Sequence, residues 1–276
     1  MISRLLIWGY GRVGNAMIQG CLQNWSELSD SENHFHELGV ISQKARPNSL
    51  PSNVTWLNHA DVMGSPNTAL RQGDVLLLTV TDGLIATISN RCDIPGISIV
   101  HCSGATPRML LEQAASMVFY PLQTFSGESE VDWSAVPVFT EMGGEEDFDV
   151  LARVAQLLGV VNTHSIPFSA RENLHMAAVF ANNFTTAMAG IAHDVLRQKG
   201  LQPSWIQPIL AQTALNLGAN HPWEKLTGPA KRGDEQTIQK HLQLLDSHKD
   251  WKEIYQIMSG YIQNRTDNDL DVPHMS

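Results

Sequence analysis

A glycine-rich segment near the start of the chain limits what this sequence can fold into. Residues 4–8 are apolar enough for one buried strand and run directly into a G-x-G-x-x-G pattern formed by Gly9, Gly11 and Gly14. Small and apolar residues at helical spacing follow, so the order is strand, glycine turn, helix. Glycines in this context bind dinucleotides, and we predict that role here; the alternative is a βα turn that only packs.

Each glycine of this segment has its own physical task. Gly9 allows a tight turn, Gly11 lets a pyrophosphate approach the backbone, and Gly14 lets helix and strand pack closely. The phosphates then lie on the first N–H groups of the helix, at the positive end of its dipole. The cofactor-binding residues predicted here are Gly9, Tyr10, Gly11, Arg12, Val13 and Gly14.

The order of strand-like and helical patterns predicts the fold. Strand-like runs alternate with helical patterns over the first part of the chain. The clearest buried strand is residues 74–80, whose apolar centre is typical of a parallel strand covered on both faces. Further on only helical patterns occur, including one long helix over 169–199. We predict an α/β Rossmann domain with a doubly wound, mostly parallel sheet (residues 1–165), an all-α domain (166–264) and a flexible tail (265–276).

The composition restricts the kind of partner. The 276 residues carry a formal net charge of -10 at pH 7, whereas a nucleic-acid-binding surface is normally basic. No stretch approaches the ~20 apolar residues of a membrane span. Three widely spaced cysteines suit a reducing compartment, and no His or Cys spacing typical of a metal site occurs. We expect a cytoplasmic protein that binds a small molecule, and neither nucleic acid, membrane nor metal.

The end of the second predicted strand bears on the choice of cofactor. NAD-binding versions of this fold place an Asp or Glu there to hold the ribose 2′-hydroxyl. This chain has Ser42, Lys44 and Arg46 instead, a hydroxyl and two cations that suit a 2′-phosphate. We therefore predict NADP(H) ahead of NAD(H) or the deazaflavin F420. The alternative is that the two cations are ordinary surface charges.

The chain after the fourth strand passes where a nicotinamide would lie. Val80, Thr81 and Asp82 follow this strand, at the carboxyl edge of the sheet where ligands bind. Capping of the next helix explains Asp82 equally well. A further helix is predicted to begin at Thr106-Pro107, because proline is tolerated in a first turn.

Two more strand ends carry polar residues. His101 titrates near neutral pH when unperturbed, and Ser103 with the Gly104 backbone could hold a carboxylate or carbonyl group. A packed histidine is the alternative for His101. Gln123 and Thr124 supply two hydrogen-bonding side chains after a later strand, in what is otherwise a surface loop.

The helical part of the chain adds two candidates. His175 and Asn182 share one face of the long helix about 11 Å apart, with Asn183 at its edge. Polar side chains in so apolar a helix need partners, which either a cleft or an internal network supplies. Thr227 and Arg232 lie in a Gly/Pro turn that reaches an anion or simply joins two helices.

These motifs together resemble the Rossmann-like and DUF2520 domain-containing family, over roughly residues 3–262. That family is similar to the NADP/F420-dependent oxidoreductases and, more distantly, to pyrroline-5-carboxylate reductase. The resemblance implies a helical domain like the C-terminal domain of 6-phosphogluconate dehydrogenase, and a homodimer formed through it. The motifs that carry it are Gly9 to Gly14, His101-x-Ser103-Gly104, Pro121-Leu122-Gln123-Thr124-Phe125, His175-x-Ala177-Ala178-Val179-Phe180-Ala181-x-Asn183 and Leu226-Thr227-Gly228-Pro229-x-x-Arg232-Gly233-Asp234.

Two departures from the pattern bear on chemistry. The family usually has histidine before Pro-Leu-Gln, and this chain has Tyr120. The related β-hydroxyacid dehydrogenases place a catalytic lysine four residues before an asparagine, where this chain has Val179 before Asn183. A lysine mechanism is therefore not available, and His175, His101 or water must supply the proton.

The leading hypothesis is an NADP-dependent oxidoreductase that transfers hydride to or from a small, anionic carbonyl or imine. His175 is the first candidate for proton donor, with His101 as the other, and Asn183 would orient the substrate or the cofactor amide. The rival hypothesis is a non-catalytic NADP(H)-binding sensor or scaffold, since a fold alone does not imply catalysis. The predicted substrate-binding residues are Ser103, Gly104, Gln123, Thr124, Thr227 and Arg232.

Overall fold

A computed structural model describes residues 4–28, 35–127, 130–218 and 222–267. The chain forms two compact units, Met1–Asn183 and Phe184–Ser276. Within the described residues, no helix is long and apolar enough to cross a membrane. The domain limits proposed from the sequence remain predictions, and most of the predicted tail, residues 268–276, lies outside the described residues.

The first unit contains one sheet with helices on both faces. The strands described are β1 (Arg4–Trp8), β2 (Glu37–Ser42), β3 (Thr55–Asn58), β4 (Val75–Leu78), β5 (Ser98–His101), β6 (Ala115–Pro121), β7 (Val138–Glu141) and β8 (Thr163–Ser165). The helices are α1 (Arg12–Leu28), α2 (His59–Gly64), α3 (Pro66–Ala69), α4 (Asp82–Arg91), α5 (Phe148–Leu158) and α6 (Phe168–Ala178), which continues into a π-helical segment, Val179–Phe184.

The strand order is β3-β2-β1-β4-β5-β6-β7-β8. Every neighbouring pair is parallel except β6 and β7, which are antiparallel. This confirms the predicted doubly wound, mostly parallel sheet. The order reverses between β1 and β4, and the carboxyl ends of β1 to β6 share one edge, which is where ligands bind in such sheets.

The central strands explain why this sequence forms a covered sheet. Every residue of β1 and β4 is buried. Successive side chains of a strand point to opposite faces. Leu5 and Ile7 accordingly pack in the same apolar cluster as Met17 of α1, whereas Leu6 and Trp8 pack in the cluster that contains Ile85 and Ile88 of α4. Both faces are apolar, as the continuous apolar runs predict.

The helix predicted from Thr106-Pro107 does not form, so this prediction was wrong. The Thr106 carbonyl accepts a hydrogen bond of 2.6 Å from Arg171, and the Pro107 carbonyl lies 3.2 Å from Nε2 of His101. These carbonyls are therefore not available to a first helical turn. Farther along, the Asp93 carboxylate accepts N–H bonds from residues 112, 113 and 114, which fixes the segment as a loop.

One helix differs from the sequence-based expectation. The helix predicted over 169–199 forms as α6, the π-helical segment Val179–Phe184 and a further helix, Thr185–Gln198, in succession. A π-helical turn takes in an extra residue, which changes the faces on which later side chains lie.

The second unit is helical in the part of the chain that is described. Its helices are α7 (Thr185–Gln198), α8 (Gln207–Gly218), α9 (Glu235–Leu244) and α10 (Lys249–Asp267), and α10 therefore continues into the predicted tail. Asp234 caps α9 by accepting a 3.1 Å bond from the Thr237 N–H. The buried apolar cluster of the second unit comprises Ala230, Ile238 and Leu242. Neither α7 nor α8 has a buried residue.

Candidate functional site: a glycine cradle and a Tyr–His pair

The glycine turn between β1 and α1 has the geometry of a nucleotide cradle. Gly9 has a φ of +114°, and a Cβ there would lie 2.9 Å from the Thr79 carbonyl oxygen. A Cβ on Gly14 would lie 1.9 Å from the Gly9 carbonyl oxygen. At Gly11, by contrast, a Cβ would meet no described atom within 4 Å. Two glycines thus allow close packing, and the third leaves open space where a ligand can approach the backbone.

The start of α1 suits an anion. The helix runs from Arg12 to Leu28 and has no acidic residue in its first turn. The first N–H groups of a helix have no partner within the helix, and the helix dipole adds positive potential at this end. Thr79 stabilises the glycine turn, because its hydroxyl donates a hydrogen bond of 2.9 Å to the Gly9 carbonyl. Sequence reasoning missed Thr79, which lies one residue after β4.

The residues predicted to hold a 2′-phosphate divide into two groups. Arg46 donates to three backbone carbonyls between residues 50 and 54, so its guanidinium holds the loop after β2 together. The Ser42 hydroxyl is buried and accepts the Lys44 N–H at 3.0 Å. Lys44 itself is exposed and donates to the Tyr10 carbonyl at 3.0 Å. Lys44 and the exposed Arg12 are the cations left to meet a phosphate.

The segment after β4 differs in detail from its predicted role. Thr81 is the N-cap residue of α4 and makes no side-chain capping bond, so the predicted capping by Asp82 was wrong. Asp82 is the first residue of the helix and is exposed. A carboxylate in this position still interacts favourably with the helix dipole. Val80 and Thr81 follow the strand at the carboxyl edge of the sheet, as predicted.

His101 is a packed histidine. Its side chain is 1% exposed, Nε2 lies 3.2 Å from the Pro107 carbonyl oxygen, and Nδ1 accepts the Ser103 N–H at 3.3 Å. Burial, with the nearby Arg171 charge, lowers the pKa of His101 to about 4. The neutral ring, with both nitrogens engaged, favours a structural role over the predicted role of proton donor.

Ser103 and Gly104 shape the turn after β5. The Ser103 hydroxyl oxygen accepts the N–H groups of Ala105 (3.1 Å) and Thr106 (2.9 Å), so its hydrogen-bonding capacity is used within the turn. A Cβ on Gly104 would lie 2.7 Å from the His175 ring. The structure therefore favours a different use of the two predicted substrate-binding residues: Ser103 holds the turn together, and Gly104 leaves room for the His175 ring.

Tyr120 and His175 form a hydrogen-bonded pair at this edge. The Tyr120 hydroxyl, at the end of β6, lies 3.0 Å from Nδ1 of His175 on α6, and the two rings meet edge to face. Burial raises the pKa of Tyr120, and the positive charge of Arg171 partly counteracts this. Sequence reasoning singled out His175 and passed over Tyr120. The signal was the tyrosine at the position where the family usually has histidine.

The pair lines an open cavity of about 450 Å³. Gln123, Thr124, Asn182 and Asn183 contribute polar groups to its wall, and the remainder of the wall is apolar. Asn182 and Asn183 both belong to the π-helical segment that follows α6. No sequence pattern indicated that segment. Among the described residues, the lining contains no Lys, Arg, Asp or Glu.

A second cavity lies along α1. It has a volume of about 210 Å³ and is lined by Arg12 and Asn15 of that helix. Thr124 lines both this cavity and the one that contains the Tyr120–His175 pair. Thr124 therefore adjoins both the pair's cavity and the side of α1, the helix that begins directly after the glycine turn.

Thr227 and Arg232 lie in the second unit. Thr227 lines an apolar cavity of about 550 Å³ in that unit, whose wall includes the pair formed by His241 and Tyr255 (2.7 Å). Arg232 is exposed on the turn before α9. Across the described ranges, no three His, Cys, Asp or Glu side chains lie close enough together to hold a metal ion.

The C-terminal part of the chain matches a known protein family. Residues 136–262 match the model of a domain of unknown function, DUF2520. The resemblance inferred from the motifs is thereby confirmed over these residues. No curated protein sequence matches the chain.

Several solved structures share the fold. One, from Bacteroides fragilis and provisionally named an NADP oxidoreductase, is 25% identical, with a TM-score of 0.79 over 95% of this chain and 98% of that one. A protein from Thermotoga maritima is 20% identical, with a TM-score of 0.66 over 96% and 99% of the two chains. The reductive aminase of Aspergillus terreus, in complex with NADPH and ethyl-5-oxohexanoate, is 14% identical, with a TM-score of 0.61 over 97% and 94%.

Proposed function

We propose that this protein is an NADP-dependent oxidoreductase that acts on a small carbonyl or imine compound. The observation that carries the proposal is the Tyr120–His175 pair, joined at 3.0 Å and lining a cavity of about 450 Å³. Thr124 also lines a cavity along α1, the helix that follows the glycine cradle. A dinucleotide site next to a proton-donating pair is the combination that hydride transfer to a carbonyl or imine requires.

The chain's own residues fit a dinucleotide. The space above Gly11 would admit a pyrophosphate, and the first turn of α1 would hold it through backbone N–H groups. Lys44 and Arg12 are the exposed cations that would contact a 2′-phosphate. NADPH, when bound, supplies the hydride. Arg46 is left out of this proposed site because three backbone carbonyls already use its guanidinium.

The Tyr120–His175 pair would supply the proton. With the Tyr120 hydroxyl donating to Nδ1, the imidazole carries its own proton on Nε2. Transfer of that proton to the developing alkoxide or amine leaves Nε2 unprotonated, and Nδ1 can take the hydroxyl proton of Tyr120. Asn182 and Asn183 line the same cavity and would hold the substrate by hydrogen bonds.

The lining of the cavity suggests an uncharged substrate in this part of the site. The sequence predicted an anionic compound, but no described residue of the lining carries a positive charge. Amide, hydroxyl and imidazole groups suit a neutral ketone, ester or imine better than a carboxylate, since a desolvated anion needs a charged or strongly hydrogen-bonding partner. The neutral carbonyl compounds seen in the reductive aminase complexes are therefore appropriate first probes.

Binding and turnover together test the proposed function. We expect tight binding of NADPH, weaker binding of NADH and of F420, and oxidation of NADPH with ethyl levulinate, ethyl-5-oxohexanoate, or cyclohexanone with allyl amine. His175→Asn should lower turnover by about 10²–10⁴-fold, the range of a general acid, with NADPH binding retained. His164→Asn is the matched control, because His164 is an exposed histidine on β8.

Each other result has a definite meaning. NADPH binding without turnover of any probe would favour the sensor or scaffold hypothesis. Equal activity of the His175→Asn and His164→Asn variants would exclude His175 as proton donor. No binding of NADPH, NADH or F420 would overturn the proposed function as a whole.

We also propose that the protein is a homodimer joined through its helical unit. Helices α7 and α8 have no buried residue, although they carry exposed Met188, Val195, Ile209, Leu215 and Leu217. An apolar surface of this extent on a water-soluble protein normally contacts a partner. A second copy of this chain is the partner that the resemblance implies.

A further inference from the structure

The charge of Arg171 acts on Tyr120, one member of the Tyr120–His175 pair. Arg171 precedes His175 by four residues on α6, so the two side chains share one face of the helix. Arg171 is fully buried and forms an ion pair with Glu141 of β7. It also donates to the Thr106 carbonyl at 2.6 Å. These contacts tie α6 to two segments of the sheet edge, one turn away from the histidine that meets Tyr120.

The charge of Arg171 is only partly compensated. Glu141 is the carboxylate paired with it, and that side chain is 22% exposed, so solvent screens part of its charge. Nε of Arg171 is buried and has no hydrogen-bond partner among the described residues. Burial raises the pKa of Tyr120, and the positive charge of Arg171 lowers it. Burial and the charge of Arg171 both lower the pKa of His101, whereas the negative charge of Asp82 raises it.

When the Tyr120–His175 pair gives up a proton, its net charge becomes more negative. Whether the proton leaves an imidazolium or, through the relay, the tyrosine hydroxyl, the charge of the pair falls by one unit. A fixed cation nearby stabilises the state after transfer more than the state before it. Such a charge, aimed at where negative charge develops, costs no reorganisation during the reaction.

We propose that Arg171 is a positioning residue for proton donation: it anchors α6 so that His175 meets Tyr120, and its charge, balanced in part by Glu141, favours release of the proton. This inference rests on the proposed role of the pair in hydride-transfer chemistry. Neither the sequence motifs nor the family resemblance singles out Arg171. Its burial and its two contacts do.

Opposite substitutions in the ion pair give a test that needs neither cofactor nor substrate. The sequence has four tyrosines, so ring-labelled tyrosine gives an NMR spectrum in which Tyr120 is identified by its loss in Tyr120→Phe. Removal of the cation in Arg171→Met should move the ionisation of Tyr120 to higher pH. Removal of the counter-charge in Glu141→Gln should move it to lower pH.

The opposite signs separate an electrostatic role from a structural one. If the substitutions acted by loosening the packing, the pH at which Tyr120 ionises would shift in the same direction in both variants. That result would overturn the proposal, and so would an ionisation of Tyr120 that neither substitution changes. Arg71→Met and Glu37→Gln are matched controls, because they break an exposed ion pair of the same unit at 2.8 Å and should not move Tyr120. If Arg171→Met does not fold, Glu141→Gln alone still tests the proposal. An ionisation of Tyr120 that shifts to higher pH in this variant, or does not shift, would contradict the electrostatic role of Arg171.

Turnover then separates positioning from charge. Arg171→Lys keeps the positive charge but loses one of the two anchoring contacts. In this variant Tyr120 should ionise at the same pH as in the wild type. Misplacement of His175 should lower kcat by up to about 10²-fold. An unchanged kcat would exclude the anchoring role. If no carbonyl probe reacts, the proposed function fails, whereas the ionisation of Tyr120 still answers the question of charge.

Discussion

The two units of the molecule keep their apolar side chains in different places. Helix α5 of the first unit buries Val150, Leu151, Val154, Ala155, Leu157 and Leu158. Helix α8 of the second unit is also rich in apolar residues, yet none of them is buried, and Ile209 and Leu215 are 65% and 71% exposed. Helix α5 thus buries its apolar residues within its own unit. Helix α8 leaves its apolar residues exposed.

This difference predicts how each unit responds to conditions. Full burial of one Leu or Ile contributes about 1.5–3 kcal/mol, so a few such residues against a second copy are enough to hold a dimer. Association that covers α7 and α8 would make the stability of the second unit depend on protein concentration. The stability of the first unit should depend instead on its buried ionisable groups, and therefore on pH.

The largest expected effect comes from a charge on the exposed face of α8. Ile209→Asp would place a carboxylate in the proposed contact between copies, where an unpaired charge costs several kcal/mol. We expect the variant to be monomeric by light scattering at concentrations at which the wild type is a dimer, with a lower unfolding temperature. The substitution changes no buried residue of the single chain.

Leu110→Asp is the matched control for this prediction. Leu110 is 84% exposed on a loop of the first unit, so an aspartate there should change neither mass nor unfolding temperature. A wild-type protein that is monomeric at all concentrations would contradict the proposed dimer. So would an Ile209→Asp variant that stays dimeric and as stable as the wild type.

The same contrast explains what the sequence could predict. Buried strands and glycine turns have local signatures, so the mostly parallel sheet and the strand–turn–helix order around Gly9 to Gly14 were predicted, although the helix expected from Thr106 was not found. The pair formed by Tyr120 and His175 was not, because it joins residues 55 positions apart and depends on how α6 packs. The bonds of Arg46 to three nearby backbone carbonyls depend on how its own loop folds, and no sequence pattern indicated them or the π-helical segment.

His101 should make the first unit sensitive to acid. Its pKa is about 6.5 in an unfolded chain and is lowered to about 4 in the fold. Between these values the unfolded chain binds a proton that the folded one does not, so stability is complete above pH 6.5 and falls as the pH drops towards 4. The loss is at most about 3 kcal/mol. Urea unfolding at pH 7 and pH 4.5 measures it.

His101→Gln isolates this contribution. Glutamine keeps a hydrogen-bonding side chain but does not titrate, so the variant should lose less stability between the two pH values, even if it is less stable at pH 7. The loss in the wild type should be independent of protein concentration, unlike the response of the second unit. An equal loss in variant and wild type would show that other groups cause the acid sensitivity.

The smallest expected effect distinguishes two neighbouring cations of the first unit. Lys44 is exposed and makes a single 3.0 Å bond to the Tyr10 carbonyl, whereas Arg46 holds three carbonyls of its own loop. Lys44→Ala should weaken NADPH binding about tenfold, or about 1.4 kcal/mol, and leave NADH binding unchanged. Arg46→Ala should lower the unfolding temperature and leave the ratio of the two affinities as it is. Calorimetric titration of both variants with NADPH and NADH measures these affinities. A change in the ratio of the NADPH and NADH affinities in Arg46→Ala alone would assign the phosphate contact to Arg46. That arginine would then be a ligand-binding residue as well as a structural one.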